Sequence, residues 1–134
     1  MSQPMEIAKR WFEAMNRYDL NQMGALCRED AVSDEVAEPT PFEGRDKIVE
    51  SYRELFAGFP DSRAKILNTF AGQDQVLAEV SWRGTNTGEF RGGAATGKIV
   101  DIRIAYIFKI EGGRIRTITE YYDGGAVARQ MGLV

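Results

Sequence analysis

The chain has 134 residues, 43% hydrophobic and 28% charged, with a formal net charge of −3. Length and composition predict one globular domain over residues 1–134, and the acidic balance excludes nucleic acid as a partner, since phosphate contacts need a concentrated basic surface. There is no histidine, which removes imidazole bases, Ser-His-Asp and Cys-His catalysis, and most zinc sites.

Met1 to Ile7 lacks the apolar centre of a signal peptide, and no later window has the length of a membrane span. A cytoplasmic protein with no membrane contact is the expectation. Pro4 suits the first turn of a helix, and Ile7, Ala8, Trp11, Phe12, Met15 and Tyr18 follow at helical spacing. Asp19, with Gln22 three residues on, resembles a capping box for a short second helix that carries Leu20, Met23, Leu26 and Cys27 inward. Cys27 is the single cysteine, so no intramolecular disulfide is expected, and its place in the apolar pattern reads as a packed thiol. A brief strand around Ala31 to Val36 ends before Pro39 and Pro41.

A third helix is expected from Arg45 to Gly58, with Ile48, Val49, Tyr52, Leu55 and Phe56 as its buried stripe, and Pro60 prevents its continuation. Strands follow over Arg63–Phe70 and Val76–Arg83, joined at Gly72-Gln73-Asp74. Gly84 to Gly97 is glycine-rich and shows no helical pattern. It reads as a strand extension and a mobile loop that helps close a pocket.

The clearest pattern lies in Ile99 to Asp123, two strands joined at Gly112-Gly113. Val100, Ile102, Ile104, Tyr106, Phe108 and Ile110 fall on one face of the first strand, and Asp101, Arg103 and Lys109 on the other. In the returning strand Glu120 interrupts an apolar run. A tight two-residue turn would put Thr117, Thr119 and Tyr121 beside Tyr106 on the inner face; a longer turn would put Ile118, Glu120 and Tyr122 there. Ala126 to Leu133 reads as a helical tail. Helices followed by a run of strands predict an α+β fold, three N-terminal helices packed on a strongly curved antiparallel sheet, a cone-shaped barrel enclosing a pocket.

Gly84-Thr-Asn-Thr-Gly-Glu-Phe-Arg-Gly-Gly-Ala-Ala-Thr-Gly97 followed by Lys98 resembles the signature loop of SnoaL-like polyketide cyclases, in the nuclear-transport-factor-2-like superfamily. Asn86 stands where those proteins usually carry histidine, and Ala95 where they carry proline. Phe42-Glu-Gly-Arg45, Gly113-Arg-Ile115 and Arg129-Gln-Met-Gly132 agree, so the resemblance spans nearly the whole chain. The ketosteroid isomerases of that superfamily offer a second resemblance. Glu35, nine residues before Gly44, occupies the position of their general base. Tyr106 falls where they carry the neutral acid of the oxyanion hole, and Trp11 where they carry a tyrosine donor. Glu120 falls where the cyclases carry an acid/base aspartate, and this resemblance favours the longer turn.

These likenesses imply a cofactor-independent enzyme of cyclase or isomerase type, abstracting a proton beside a carbonyl. Glu120, Tyr106 and Glu35 are the expected catalytic residues, and Trp11, Tyr122, Ile102, Ile104 and Trp82 the expected ligand wall. The alternative is a non-catalytic module of the same fold that binds a small apolar or aromatic molecule. Epoxide hydrolysis would need an Asp-Arg-Asp constellation around a water, and Arg103 lies on the wrong face of its strand for it. No metal site is expected. Asn86 is expected to serve the turn by bonding nearby backbone. The uncharged outer strip Ala105, Ile107, Thr117, Thr119 and Tyr121 predicts a homodimer through the outer sheet face.

Overall fold

Pro4 occupies the first turn of helix α1 (Gln3–Asn16), whose start is capped by the Ser2 hydroxyl accepting from Met5 N–H at 3.3 Å. The computed structural model describes residues 2–134. The apolar stripe of α1 buries Ile7, Ala8, Trp11, Phe12 and Met15. Asp19 caps α2 (Leu20–Leu26) by accepting from Gln22 N–H at 3.0 Å. Gly44 precedes α3 (Arg45–Gly58), which buries Ile48, Ser51 and Tyr52; Val49, Leu55 and Phe56 of its expected stripe are only partly buried.

Six strands form one sheet: β1 (Cys27–Glu35), β2 (Phe42–Glu43), β3 (Arg63–Ala71), β4 (Gln75–Thr85), β5 (Ile99–Glu111) and β6 (Arg114–Tyr121), in the order β2-β1-β6-β5-β4-β3. A final helix, α4 (Gly124–Gln130), lies beyond β6. The fold class is the expected α+β, with two differences. The sheet is open, and it is mixed, because β1 runs parallel to β6. Parallel neighbours need a long crossover, and here everything from β2 to β5 lies between them in sequence. Cys27 opens β1 rather than closing α2: its backbone is extended and it pairs with Ile115, so long-range pairing overrides the local helical pattern.

Val76, Ala78, Val80 and Trp82 of β4, and Val100, Ile104, Tyr106 and Phe108 of β5, are buried on the inner face against the helices. Trp11 and Phe12 pack edge-on against Phe108 at 5.9 Å each, and Phe12 meets Tyr106 at 5.0 Å. The Asn16 amide ties α1 to the edge of the sheet, donating to Ala64 C=O and accepting from Ala64 N–H, both at 2.8 Å. At the other end Gln130 treats Asp101 the same way, at 3.1 and 2.7 Å.

The last hairpin resolves the register in a way neither simple turn anticipates. The turn is tight, with Glu111 paired to Arg114 around Gly112 and Gly113, both at positive φ (60° and 77°), as a two-residue hairpin turn of this twist requires. One strand position later β6 holds an extra residue. Ile110 pairs with Ile115, but Lys109 pairs with Thr117, leaving Arg116 as a β-bulge. Ile115 and Ile118 are therefore both buried although three positions apart, and Glu120 returns to the inner face opposite Tyr106.

Since side-chain direction alternates along a strand, deleting Arg116 is expected to close the bulge with Thr117 still opposite Lys109. Ile118 and Glu120 then stay on the inner face, and the stability cost stays below the roughly 3 kcal/mol of a core residue turned outward. Arg116→Ala, which keeps the count, should change stability by less than about 1 kcal/mol. Urea unfolding of the two variants checks this.

Candidate active site

Directly opposed residues of neighbouring strands share a face. Glu35 pairs with Glu120 across β1 and β6, and Glu120 with Tyr106 across β6 and β5. Two carboxyl groups and a phenol thus stand in one row on the concave side of the sheet. Glu120 is 4% exposed and Tyr106 1%. All three line a cavity of about 270 Å³. Trp82, Ile102, Ile104 and Tyr122 continue its wall, joined by Tyr52 and Leu55 of α3, Phe59, Phe90, Arg91 and Val127 of α4.

Trp11, expected in the ligand wall, is placed elsewhere. It is wholly buried between α3 and the sheet, edge-on to Tyr52 at 5.3 Å. The residue that lines the cavity from this side is Tyr52. Its hydroxyl is buried next to Tyr106 and Glu120 without a hydrogen bond of good geometry. Helical spacing marked Tyr52 as a core position, and nothing local told a packed tyrosine from a cavity one.

Arg91 was not anticipated at all. Its Nη2 lies 2.8 Å from Glu35 Oε2 and its Nη1 2.8 Å from Glu38 Oε1. The guanidinium sits over the rings of Phe90 and Phe42, at 4.8 and 5.6 Å, where ring quadrupoles attract a cation. The arginine that reaches the pocket is this one; Arg103 is exposed on the outer face. Arg91 bridges Glu35 to Glu38 and leaves Glu120 outside the ion pair.

The two carboxyls consequently differ. Burial raises the pKa of Glu35, and the Arg91 charge and hydrogen bond oppose it, leaving a net upward shift. Burial also raises Glu120, the charge of Glu35 adds to the shift, and Tyr106, Arg91 and Tyr52 oppose it; the result is about 8. Pairs of carboxyls held at different protonation in one site are a recurrent arrangement for moving protons. Cys27, pushed up to about 12 by burial, is the unreactive packed thiol that its pattern implied. Among the described residues no group of three or more metal-ligand side chains is placed to hold a metal ion, and no helix is long and apolar enough to cross a membrane.

The segment from Gly84 to Gly97 was expected to be a mobile loop, and several of its side chains anchor it, beginning with the Thr85 hydroxyl, which donates to Asp61 Oδ2 at 2.7 Å. Asn86 is fully buried; its amide donates to Gly58 C=O and Gly88 C=O at 3.2 and 2.9 Å and accepts from Thr96 N–H and the Thr96 hydroxyl at 2.8 and 2.9 Å. Phe90 packs on Phe59 at 5.3 Å, and Arg91 forms the ion pairs above. A Cβ at Gly88 would fall on the Ala57 carbonyl oxygen, so the loop lies flush against the end of α3.

The family model for SnoaL-like polyketide cyclases matches residues 6–131, and the chain belongs to that family. No curated protein matches the sequence significantly. Among solved structures, a SnoaL-like protein of Jannaschia sp. CCS1 is 20% identical with a TM-score of 0.89, covering 98% of this chain and 93% of that one. IdmH of Streptomyces antibioticus, a candidate polyketide cyclase, is 26% identical with a TM-score of 0.81, covering 97% and 99%. A protein of Catenulispora acidiphila with a ketosteroid-isomerase-like fold, solved with trimethylamine, is 21% identical with a TM-score of 0.80, covering 95% and 92%.

A carboxyl whose pKa is higher folded than unfolded binds more protons in the native state, so its contribution is complete below the unfolded pKa and is lost as pH rises through the folded one. With Glu120 moved from 4.5 to about 8, stability is expected to fall across pH 5 to 8, by at most about 1.4 kcal/mol per pH unit. Glu120→Gln should flatten that slope and be the more stable protein at pH 8. Chemical unfolding at several pH values reads both.

Proposed function

We propose that the protein is a cofactor-independent acid/base enzyme of cyclase or isomerase type, which removes a proton from carbon beside a carbonyl in a small, largely apolar ligand. The observation that carries this reading is Glu120, a carboxyl buried in an apolar cavity and outside any ion pair among the described residues, in a row with Tyr106 and Glu35. A base of pKa about 8 is a stronger proton acceptor than an exposed carboxylate and still returns the proton easily. Glu120 takes the proton from carbon. Tyr106 donates to the oxygen on which negative charge develops, with Tyr52 beside it, the electrostatic role that usually contributes most to such chemistry. The charge of Glu35, one strand away, adds to the basicity of Glu120, while Arg91 holds Glu35 in place. The remaining lining residues exclude water.

The same cavity would serve a non-catalytic binding module, and one substitution separates the two. Glu120→Gln keeps the shape and deletes the base. For the enzyme, turnover is expected to fall by roughly two to four orders of magnitude with ligand binding nearly unchanged; for a binding module, there is no turnover to lose and ligand affinity should stay where it was. The wild-type rate should rise with pH and level off near the Glu120 pKa of about 8, because only the ionised form accepts a proton.

The homodimer belongs to this proposal. On the outer face Phe70, Leu77, Ile107 and Thr119 follow one another across β3 to β6, and Phe70 and Tyr121 are 66% and 50% exposed. Such a contiguous uncharged strip favours a protein contact. Sedimentation velocity at micromolar concentration should give a dimer; a monomer rejects this part.

A further inference from the structure

We propose that the pocket selects a neutral ketone of one or two rings, seated with its oxygen at the Glu120–Tyr106 end, and that the wall of Phe59, Phe90 and Trp82 sets this size limit. The inference deepens the acid/base reading and rests on it for the presence of a carbonyl.

Size comes first. A cavity of about 270 Å³ equals the liquid volume of about nine waters, or on the order of ten to fourteen carbon and oxygen atoms at interior packing density. It lies just below the usual range for ligand sites, about 300–1,000 Å³. A two-ring ketone fills it; a four-ring skeleton exceeds it unless the walls separate.

The walls resist that separation. Phe59 is buried and meets Trp82 at 5.1 Å and Phe90 at 5.3 Å, both edge to face. Phe90 lies so close to Gly58 that an added Cβ there would come within 2.8 Å of the Phe90 Cβ. Asn86 pins the same loop to Gly58 with a further hydrogen bond.

Charge sets the second condition. Arg91 already has Glu35 and Glu38 at 2.8 Å each. An anionic ligand would meet those two carboxylates, and a cationic one would meet the guanidinium. Apart from the Glu120 row, the wall offers Val100, Ile102, Ile104 and Leu55, which pair best with a hydrocarbon body. A carbonyl oxygen at the row would accept from Tyr106, and from Glu120 when that is protonated.

The experiment titrates the protein at pH 7 with 2-tetralone, its oxygen-free parent tetralin, 2-naphthoate and the four-ring 5α-androstan-3-one, following the methyl NMR signals of Ile102 and Ile104. Tetralone should bind about tenfold or more tighter than each of the other three, the scale of discrimination expected when a ring is excluded or a buried polar group is left unpaired. Phe90→Ala, and from the opposite wall Leu55→Ala, should each improve binding of the four-ring ketone at least about tenfold relative to tetralone. Equal or tighter binding of the four-ring ketone or of 2-naphthoate to the wild type overturns the proposal, as does failure of tetralone to bind. Failure of both wall variants to relax the size limit removes the role assigned to the wall. Deuterium uptake at C1 of 2-tetralone in D₂O, compared between wild type and Glu120→Gln, reads the acid/base chemistry separately. Size-selective binding without Glu120-dependent uptake sinks that chemistry and leaves the size and charge assignment standing; uptake without size selection does the reverse.

Discussion

The row Glu35–Glu120–Tyr106 exists because β6 changes register at Arg116. Were Arg116 paired with Lys109 instead of bulged, the two-glycine turn would deliver Thr119 to the place opposite Tyr106 and send Glu120 to the outer face. The carboxyl at the centre of the row follows from this one irregularity. A bulge disrupts the ladder locally and strengthens its twist, and bulges recur where a strand must re-aim a side chain. In this sheet the re-aimed side chain is a carboxyl, moved from water into a wall of aromatic and aliphatic groups.

Placing it there opposes folding, since a buried carboxyl loses its hydration and has only tyrosine hydroxyls and a second carboxyl for neighbours. The fold tolerates this because the second carboxyl is compensated. Arg91 reaches Glu35 from a loop far along the chain and leaves Glu120 unpaired. Had the guanidinium bridged both carboxyls, each would be held ionised and weakly basic. The arrangement offsets the burial of one acid and leaves the other displaced upward, and the difference arises from where a single arginine points.

Much of this was legible in the sequence. Alternation fixed the inner face of β5 and with it Tyr106, and a lone acid in an apolar run pointed to Glu120. The resemblance in Phe42-Glu-Gly-Arg45 and in the Gly84–Lys98 segment identified the family. What stayed hidden has physical reasons. A bulge is decided by packing on both sides of a strand, and Thr117, Thr119 and Tyr121 were as compatible with an inner face as Ile118 and Glu120. The parallel pairing of β1 with β6 joins segments some eighty residues apart, beyond any local signal. Counting glycines suggested a slack loop between Gly84 and Gly97, yet side chains within it, those of Thr85, Asn86, Phe90 and Arg91, decide its attachment. Trp11 and Tyr52 share a helical spacing with the core, and only the depth of the cavity separates the one that lines it from the one that does not.

The missing histidines acquire a further meaning once the pocket is known. Imidazoles usually dominate the proton traffic of a protein near neutrality. This chain has none, and Cys27 is displaced to about 12. Glu120, raised to about 8, takes that role here. The formal charge of −3 counts it as ionised, so the protein is one unit less negative while the pocket holds its proton. A ligand that changes the state of Glu120 therefore changes the charge of the whole molecule. Proton release or uptake in weak buffer, or a shift in electrophoretic mobility, would report pocket occupancy with no label attached.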